Sequence, residues 1–357
     1  MTYDQVVKNY APIILPQVTA LYQLENYVIS QIEPHEGGRN LVYSCSRAGH
    51  VDKIIRIVFL MDRSLNDLLS ETQYIRYLYE QGASVSNVVN SRNGLLVEVV
   101  NYDNQSFYIC VFEKAKGKML VENNYRYREG APITEYFYNC GKTLGKMHQL
   151  SKEYRPVHKR YSFFDKYNTE YINNLIPDSF PLLKVKISEI LAKLKGLDQD
   201  NESYGLVHFD YSDGNYKIDF HTGQITVYDF DNSCYCWYMY DLANLWVHGV
   251  GWIQFEPDTN KRRVFMEEYF QTILKGYQSE TTIKSIMLDK LRLMIQVTLV
   301  ESVVDFFEVK RNADEEPVCD EELTYVIKCI EEDIPYKGFF HEIYSCEAPF
   351  EYELQGI

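Results

Sequence analysis

Residues 205–216 of the chain read Gly-Leu-Val-His-Phe-Asp-Tyr-Ser-Asp-Gly-Asn-Tyr, and residues 224–232 read Gln-Ile-Thr-Val-Tyr-Asp-Phe-Asp-Asn. Within them, His208, Asp210 and Asn215 have the spacing H-x-D-x-x-x-x-N, and Asp229 follows an apolar run. Phosphoryl transfer needs one carboxylate that orients the attacking hydroxyl and takes its proton, and an amide and a second carboxylate that hold magnesium on the nucleotide phosphates. The stretch therefore predicts a kinase-type catalytic loop, with Asp210 as catalytic base and Asn215 and Asp229 as metal ligands.

The residues around this motif predict a loop followed by a hairpin. A short β-type segment at 204–208 precedes polar, turn-forming residues at 210–215, and 216–220 then alternates before a turn at 221–224. The alternative is that these Asp and Asn residues only form turns. That reading is strong for any one of them and weak for four at this spacing.

Three segments together resemble the signature of the aminoglycoside phosphotransferase and choline kinase superfamily: His208-Phe-Asp210-x-x-x-x-Asn215, Tyr228-Asp229-Phe-Asp231 and Tyr240-Asp-Leu-Ala243. The resemblance implies an α+β, protein-kinase-like fold with a small antiparallel-β N-lobe that contains one key helix, and a larger, mainly helical C-lobe. We place the nucleotide-binding N-lobe at residues 1–115 and the catalytic C-lobe at residues 116–357. The family usually has Gly where this chain has Phe209, and we expect the bulky residue to alter the catalytic-loop backbone.

The composition is that of a globular protein with a sizeable core. The chain has 357 residues, a hydrophobic content of 46% and a net charge of -15. The acidic balance disfavours nucleic acid or an anionic membrane as partner and is compatible with a cationic small-molecule acceptor, although it is also common in cytoplasmic proteins. We find no signal peptide and no membrane span, and the eight scattered Cys predict reduced thiols in the cytoplasm. Oligomeric state is left open.

Two strands with a glycine-containing turn are predicted near the N-terminus. The β-like segments 27–32 and 41–45 flank Gly37, Gly38 and Asn40. Such a turn can lie over nucleotide phosphates, because glycine lets the backbone approach and offers its N–H groups to anions. The alternative is an ordinary hairpin turn. We take Gly37, Gly38 and Asn40 as candidate nucleotide-binding residues.

A third strand at 53–59 carries Arg56 between apolar neighbours. A helix is predicted from Ser64 or Asp67 to about Gln81, and Glu71 falls on its apolar stripe. A carboxylate on a buried helix face needs a cationic partner, so we predict an Arg56–Glu71 ion pair. The resemblance implies that Arg56 contacts the nucleotide phosphates. The alternative is that Arg56 faces solvent from an edge strand.

The segment after the predicted strands 95–100 and 107–112 is a polar connector. In the resembled family this connector is the hinge whose backbone groups bind adenine, and the corresponding positions here are Glu113 to Ala115. Further on, a helix at 136–148 carries Gly141 and Gly145 on a face that permits close packing, and we interpret His148 on this helix as structural.

An acidic pattern recurs on the last long predicted helix, at Glu301, Asp305 and Glu308. Such faces are usually solvated surface. The functional alternative is the anionic wall of an acceptor site, which could receive a cation together with the aromatic face of Trp246 or Trp252.

The motifs predict a kinase that transfers the γ-phosphoryl group of ATP, with Mg²⁺, to a hydroxyl of an amino sugar, an amino alcohol or a similar small molecule. GTP is not excluded, since a backbone hinge can serve either nucleotide. Two alternatives stay open: a protein Ser/Thr kinase of the same superfamily, and a catalytically degenerate nucleotide-binding scaffold, which Phe209 would favour.

Overall fold

The N-terminal part of the chain builds an antiparallel sheet with strand order β1-β2-β3-β5-β4. The computed structural model describes residues 3–33, 40–59, 63–313 and 315–338. The sheet and the helices around it are α1 (Tyr3–Asn9), α2 (Ala11–Leu21), β1 (Val28–Ile32), β2 (Asn40–Ser46), β3 (Lys53–Val58), α3 (Leu65–Glu80), β4 (Glu98–Tyr102) and β5 (Gln105–Glu113).

The two faces of this sheet bury different partners. Ile55 and Ile57 of β3 belong to a core with residues of α1 and α2, whereas Val58 packs with Leu68 of α3. Since side chains alternate along a strand, Arg56 lies on the α3 face, and its register neighbours are Val42 on β2 and Cys110 on β5. The strand geometry therefore directs Arg56 toward α3.

Helix α3 begins and ends where its sequence predicts. Ser64 is the N-cap of a capping box, in which the Asp67 N–H donates to Ser64 Oγ and the Ser64 N–H donates to Asp67 Oδ2 at 2.8 Å. The helix stops at Gln81, and Gly82 follows with φ of +81°, which glycine adopts without strain. Leu68, Ile75 and Leu78 form the buried stripe.

The connector after β5 packs closely against the hairpin of the catalytic region. A Cβ at Gly117 would lie 2.1 Å from the carbonyl oxygen of Ile218, so only glycine fits at this position. Lys118 and Ile218 exchange backbone hydrogen bonds on either side of this contact. The connector and the hairpin thus contact each other through backbone atoms, next to the predicted hinge segment.

The remaining chain is mainly helical with short strand pairs. In chain order its elements are α4 (Ile133–Glu153), α5 (Phe163–Lys166), α6 (Thr169–Leu175), α7 (Pro181–Lys195), β6 (Tyr204–Val207), β7 (Tyr216–Ile218), β8 (Ile225–Val227), β9 (Cys234–Trp237), α8 (Tyr238–Val250), α9 (Thr259–Gln278), α10 (Ser285–Leu288), α11 (Leu291–Ala313) and α12 (Glu321–Glu331). Short 3₁₀ helices occur at Val121–Asn123 and Phe230–Asn232. The last long predicted helix, with Glu301, Asp305 and Glu308, is α11, and the short helix α10 precedes it.

Helices α4 and α9 approach each other through glycine. A Cβ at Gly141 would lie 2.0 Å from the carbonyl oxygen of Ile273, and one at Gly145 would lie 2.5 Å from that of Tyr277. This confirms the predicted close packing on the glycine face of α4. Within the described residues, no helix combines the length and the apolar character that crossing a bilayer requires.

Candidate active site

The buried ion pair between β3 and α3 is formed as predicted. Nη2 of Arg56 donates to Oε2 of Glu71 at 2.7 Å, and the two side chains are 7% and 1% accessible. The guanidinium also lies over the ring of Phe112, 5.0 Å from its centroid. Burial lowers the pKa of Arg56, but the charges of Glu71, Asp231 and Cys110 and the hydrogen bond to Glu71 together outweigh it, and the pKa is raised. Arg56 is therefore a fixed cation, and the solvent-facing alternative is wrong.

The same arginine reaches the predicted metal carboxylate. Nη1 of Arg56 lies 3.9 Å from Oδ1 of Asp229, whose side chain is 53% accessible. The pKa of Asp229 is raised to about 6. Desolvation by the surrounding protein atoms is the main cause, and the charges of Asp231, Glu71 and Asp210 add to it, whereas the charge of Arg56 opposes it. Asp229 thus lies where negative charge accumulates, and a cation bound to it would reduce the repulsion between these carboxylates.

The catalytic loop arranges the other two predicted residues around one turn. Nδ2 of Asn215 donates to the backbone carbonyl of Asp210 at 2.8 Å, as does the N–H of Ser212 at 3.1 Å. The backbone carbonyl of Asn215 accepts the N–H of Tyr228 at 2.9 Å, which puts Asn215 beside the residue that precedes Asp229. The structure therefore brings Asp210, Asn215 and Asp229 together.

Asp241, at the start of α8, fixes the first half of the loop. Its Oδ2 accepts the backbone N–H of His208 at 2.8 Å, and its Oδ1 accepts that of Phe209 at 2.9 Å. The buried His148 contacts the same carboxylate through Nε2 at 3.1 Å and contacts the hydroxyl of Tyr277 through Nδ1 at 3.0 Å. Asp241 and His148 are hence structural supports of the loop, which confirms the expectation for His148.

Phe209 is accommodated in the loop in a left-handed backbone conformation. Its φ is +74°, in the left-handed region that glycine adopts most easily. The hydrogen bond from its backbone N–H to Asp241 holds it there. Its ring stacks on Tyr240, with centroids 4.4 Å apart and planes inclined by 4°, and also packs near Tyr167. The hydrogen bond to Asp241 and the packing on Tyr240 and Tyr167 compensate the local backbone preference of phenylalanine.

His208 links the loop to the segment of Asp229. Its Nε2 lies 3.1 Å from the carbonyl oxygen of Tyr228, and its ring packs on Phe230. Burial lowers the pKa of His208, although Asp241 and Asp210 oppose this shift. The neutral ring donates to that carbonyl and braces the loop.

The candidate nucleotide positions divide into three groups. Gly37 and Gly38 lie outside the described residues. Asn40 begins β2, and its Oδ1 is buried and has no partner in the described chain. At the hinge, the N–H of Glu113 donates to Asn87 and its carbonyl accepts Ser86 Oγ, whereas Ala115 makes no backbone hydrogen bond to other described residues.

The donor set suits a magnesium ion that shares its ligands with phosphates. Within the described ranges, no group of three or more His, Cys, Asp or Glu is arranged to hold a metal alone. Mg²⁺ typically takes one or two protein carboxylates and completes its shell with phosphate and water. Oδ1 of Asn215 accepts no hydrogen bond from the described chain, and Nε of Arg56 and Oε1 of Glu71 are buried without partners there. Of these atoms, the amide oxygen of Asn215 fits such a shared metal site, together with the half-exposed carboxylate of Asp229.

The acidic face of α11 belongs partly to this site. The pKa of Glu301 is raised to about 8, first by burial and then by the charges of Asp305, Asp210 and Glu308, while Lys166 opposes them. Burial and then the charge of Glu301 also raise the pKa of Tyr167 and Tyr240. Glu301 is accordingly close to both the catalytic loop and the rings around Phe209.

The other members of that face are anchored differently. Glu308 pairs with Lys166 at 3.1 Å and accepts the hydroxyl of Tyr171, while Asp305 is exposed. The two tryptophans lie elsewhere: Trp246 lines an apolar cavity of about 470 Å³ with Phe270, and Trp252 packs edge-on against Phe137.

Sequence reasoning missed one contact of the loop. Nδ2 of Asn244 lies 3.4 Å from the carbonyl oxygen of Phe209. The available signal was its position three residues after Asp241, which puts both side chains on the same face of a helix.

Comparison with known proteins places these observations in a family. The sequence profile described as "Phosphotransferase enzyme family" matches residues 31–280. The chain is 31% identical to the amicoumacin kinase of Bacillus subtilis (strain 168) over 245 residues, which are 68% of this chain and 69% of that protein.

Solved structures share the architecture. An amicoumacin kinase, hAmiN, in complex with AMP-PNP, Ca²⁺ and Ami superimposes with a TM-score of 0.78 at 24% identity, over 94% of this chain and 97% of that one. A microcompartment-associated aminopropanol kinase gives a TM-score of 0.66 at 20% identity, over 89% and 93% of the two chains. The predicted α+β, kinase-like fold is confirmed.

Proposed function

Since the chain belongs to the phosphotransferase enzyme family and is a phosphotransferase that acts on a hydroxyl group, we propose that it transfers the γ-phosphoryl group of ATP, with Mg²⁺, to an amine-bearing small molecule. The contact of Arg56 with both Glu71 and Asp229 carries this proposal. It fixes a cation beside a half-exposed carboxylate, the pairing that a metal–triphosphate complex needs.

The residues of the chain have separate roles in this reaction. Arg56, held by Glu71, contacts the phosphates, and Asn215 and Asp229 would ligate the metal, which neutralises charge that develops on the phosphates. Asp210 orients the acceptor hydroxyl and takes its proton. Asp241 and His208 hold the loop in which Asp210 stands.

Nucleotide binding is proposed at the hinge and the first hairpin. The open backbone of Ala115 provides the hydrogen bonds to the base, and Glu113 keeps the segment in place through Asn87 and Ser86. Asn40, with Gly37 and Gly38, would close over the phosphates. We propose residues 1–115 and 116–357 as the two functional lobes.

The acceptor is proposed to carry a positive charge. Glu301, Asp305 and Asp210 form a cluster of carboxylates. The charges of Asp305 and Asp210 raise the pKa of Glu301. An ammonium group placed among them would be attracted, and it would release the proton of Glu301. Two similar proteins are named as kinases of amicoumacin and of aminopropanol. Aminopropanol carries both an amine and a hydroxyl group.

The test is magnesium-dependent ATP consumption with a panel of acceptors. The panel contains amicoumacin, 1-amino-2-propanol, ethanolamine, choline, an aminoglycoside, homoserine and methylthioribose, with propane-1,2-diol as the amine-free match for aminopropanol. We expect an amine to stimulate turnover and the diol not to. The same assay with GTP decides the phosphoryl donor.

Two variants separate chemistry from binding. Asp210→Asn should abolish turnover while nucleotide binding persists, and Asp219→Asn, in the nearby hairpin turn, should leave turnover unchanged. If propane-1,2-diol stimulated turnover as much as 1-amino-2-propanol, the proposal that the acceptor is cationic would be wrong. Phosphorylation of a generic protein but of no small alcohol would select the protein-kinase alternative, and failure to bind nucleotide would select the scaffold.

A further inference from the structure

Two buried arginines connect the N-terminus of α3 to the segment that follows Asp229. Arg160, in the loop between α4 and α5, is 4% accessible, and Arg63, just before α3, is 9% accessible. Arg63 forms an ion pair with the carboxylate of Asp231. Both arginines therefore act on the 3₁₀ turn that begins directly after Asp229.

Arg160 binds three backbone carbonyls on two elements. Nε donates to Ser233 at 2.5 Å, Nη2 donates to Asp231, and Nη1 donates to Asp67 in the first turn of α3 at 2.7 Å. The planar, five-donor guanidinium is suited to such a contact, and a lysine ammonium cannot reproduce its fixed directions. Arg160 thus fastens α3 to the 231–233 turn.

These contacts connect α3 to the two residues proposed to bind the phosphates and the metal, Arg56 and Asp229. Glu71 lies one turn beyond Asp67 on α3 and pairs with Arg56, and Arg56 faces Asp229 at 3.9 Å. The chain continues from Asp229 into the 231–233 turn, which Arg160 connects to α3 by hydrogen bonds. The buried contacts of Arg160 and Glu71 fasten α3 to the turn after Asp229 and to Arg56, so they restrict how far the backbone of Asp229 can move relative to Arg56.

We propose that Arg160, together with Arg63, is a positioning residue for phosphoryl transfer: by fastening the start of α3 to the turn after Asp229, it sets the distance between the metal carboxylate and the phosphate-binding arginine. The inference rests on the proposed function for the roles of Asp229 and Arg56. Neither Arg160 nor Arg63 touches substrate in this assignment.

The experiment measures binding of AMP-PNP by calorimetry to the full chain, once with excess Mg²⁺ and once with EDTA. We expect Arg160→Ala to weaken the magnesium complex at least tenfold and to change metal-free binding little, and Arg160→Lys to restore part of the loss. Arg155→Ala is the matched control, because Arg155 lies in the same loop and bonds to the carbonyls of Lys152 and Tyr154. It should bind like the wild type.

A purely structural role would lower the melting temperature of Arg160→Ala and leave both affinities of the folded protein unchanged, which would overturn the inference. If Arg160→Ala does not fold, Arg63→Gln decides, since it removes the ion pair with Asp231 and keeps a polar side chain. Wild-type-like magnesium dependence in Arg63→Gln would then contradict the inference. Failure of the wild type itself to bind Mg²⁺·AMP-PNP would instead contradict the proposed function.

Discussion

The carboxylate of Asp241 accepts the backbone N–H of Phe209 at 2.9 Å and so holds a phenylalanine in a left-handed backbone conformation. The second oxygen accepts the N–H of His208. Asp241→Asn would turn one acceptor into an NH₂ group that faces an N–H donor. We expect a loss of roughly 1–3 kcal/mol in the free energy of unfolding, measured by urea titration, because a buried donor loses its partner.

Asp258→Asn is the matched control for this change. Asp258 caps α9 by accepting the N–H groups of Asn260 and Lys261, but it is exposed, and Asn is as good an N-cap as Asp. The control should stay within about 0.5 kcal/mol of the wild type. Equal effects of the two substitutions would mean that Asp241 does not support the loop.

Phe209 gives a prediction in which the usual order of alanine and glycine is reversed. Both Phe209→Ala and Phe209→Gly delete the ring stacked on Tyr240, at a cost of about 3–5 kcal/mol. Alanine keeps the strain of positive φ, about 1–2 kcal/mol, and glycine releases it. The glycine variant should therefore be the more stable of the two in thermal unfolding.

Phe107 provides the comparison, because it is a fully buried phenylalanine on β5 outside the set of positive-φ residues. There the alanine variant should be the more stable one, since glycine loses more backbone entropy on folding. The same order at both positions would show that the backbone at Phe209 is not strained.

These loop residues also show what the sequence could and could not predict. Helix α3 was predicted to within a residue or two, because Ser64, Asp67 and Gly82 are local signals. The Arg56–Glu71 pair followed from one rule, that a buried carboxylate needs a cation. The left-handed backbone at Phe209 could not be predicted, since Asp241 and Tyr240, which maintain it, are more than thirty residues away in the sequence.

Arg160 was not predicted at all for a similar reason. Its partners Asp67 and Asp231 are separated from it by 93 and 71 residues, and an arginine in a polar loop carries no local pattern. The periodicity of the acidic face of α11 was visible, but which of its carboxylates lies close to other charged groups depends on the elements packed against it. Such features require the assembled fold.

Glu301 should make stability depend on pH. Its pKa is about 8 in the folded chain against an ordinary value of 4.5, so the folded state holds a proton that the unfolded state has released between these pH values. The free energy of unfolding contributed by this group therefore falls as pH rises through that window. Relative to Glu301→Gln, the wild type should lose stability from pH 5 to pH 9, as measured by melting temperature.

Glu316→Gln is the control, because Glu316 is exposed and should give a curve parallel to the wild type. Binding of an amine acceptor at pH 7 should also release protons, which calorimetry in buffers of different ionisation enthalpy detects. Parallel curves for Glu301→Gln and the wild type would exclude a protonated Glu301.

Helix α11 has a second consequence, for how this protein can change over evolutionary time. One face of the helix, with Val303, Val304 and Phe307, is part of the core, while Glu301 and Asp305 face the side on which we propose that the acceptor binds. Arg56 and Asp229, with which the phosphates are proposed to interact, lie on other elements. Substitutions on the acidic face can therefore alter the range of acceptors while leaving the transfer chemistry intact, so that new specificities can arise from few mutations.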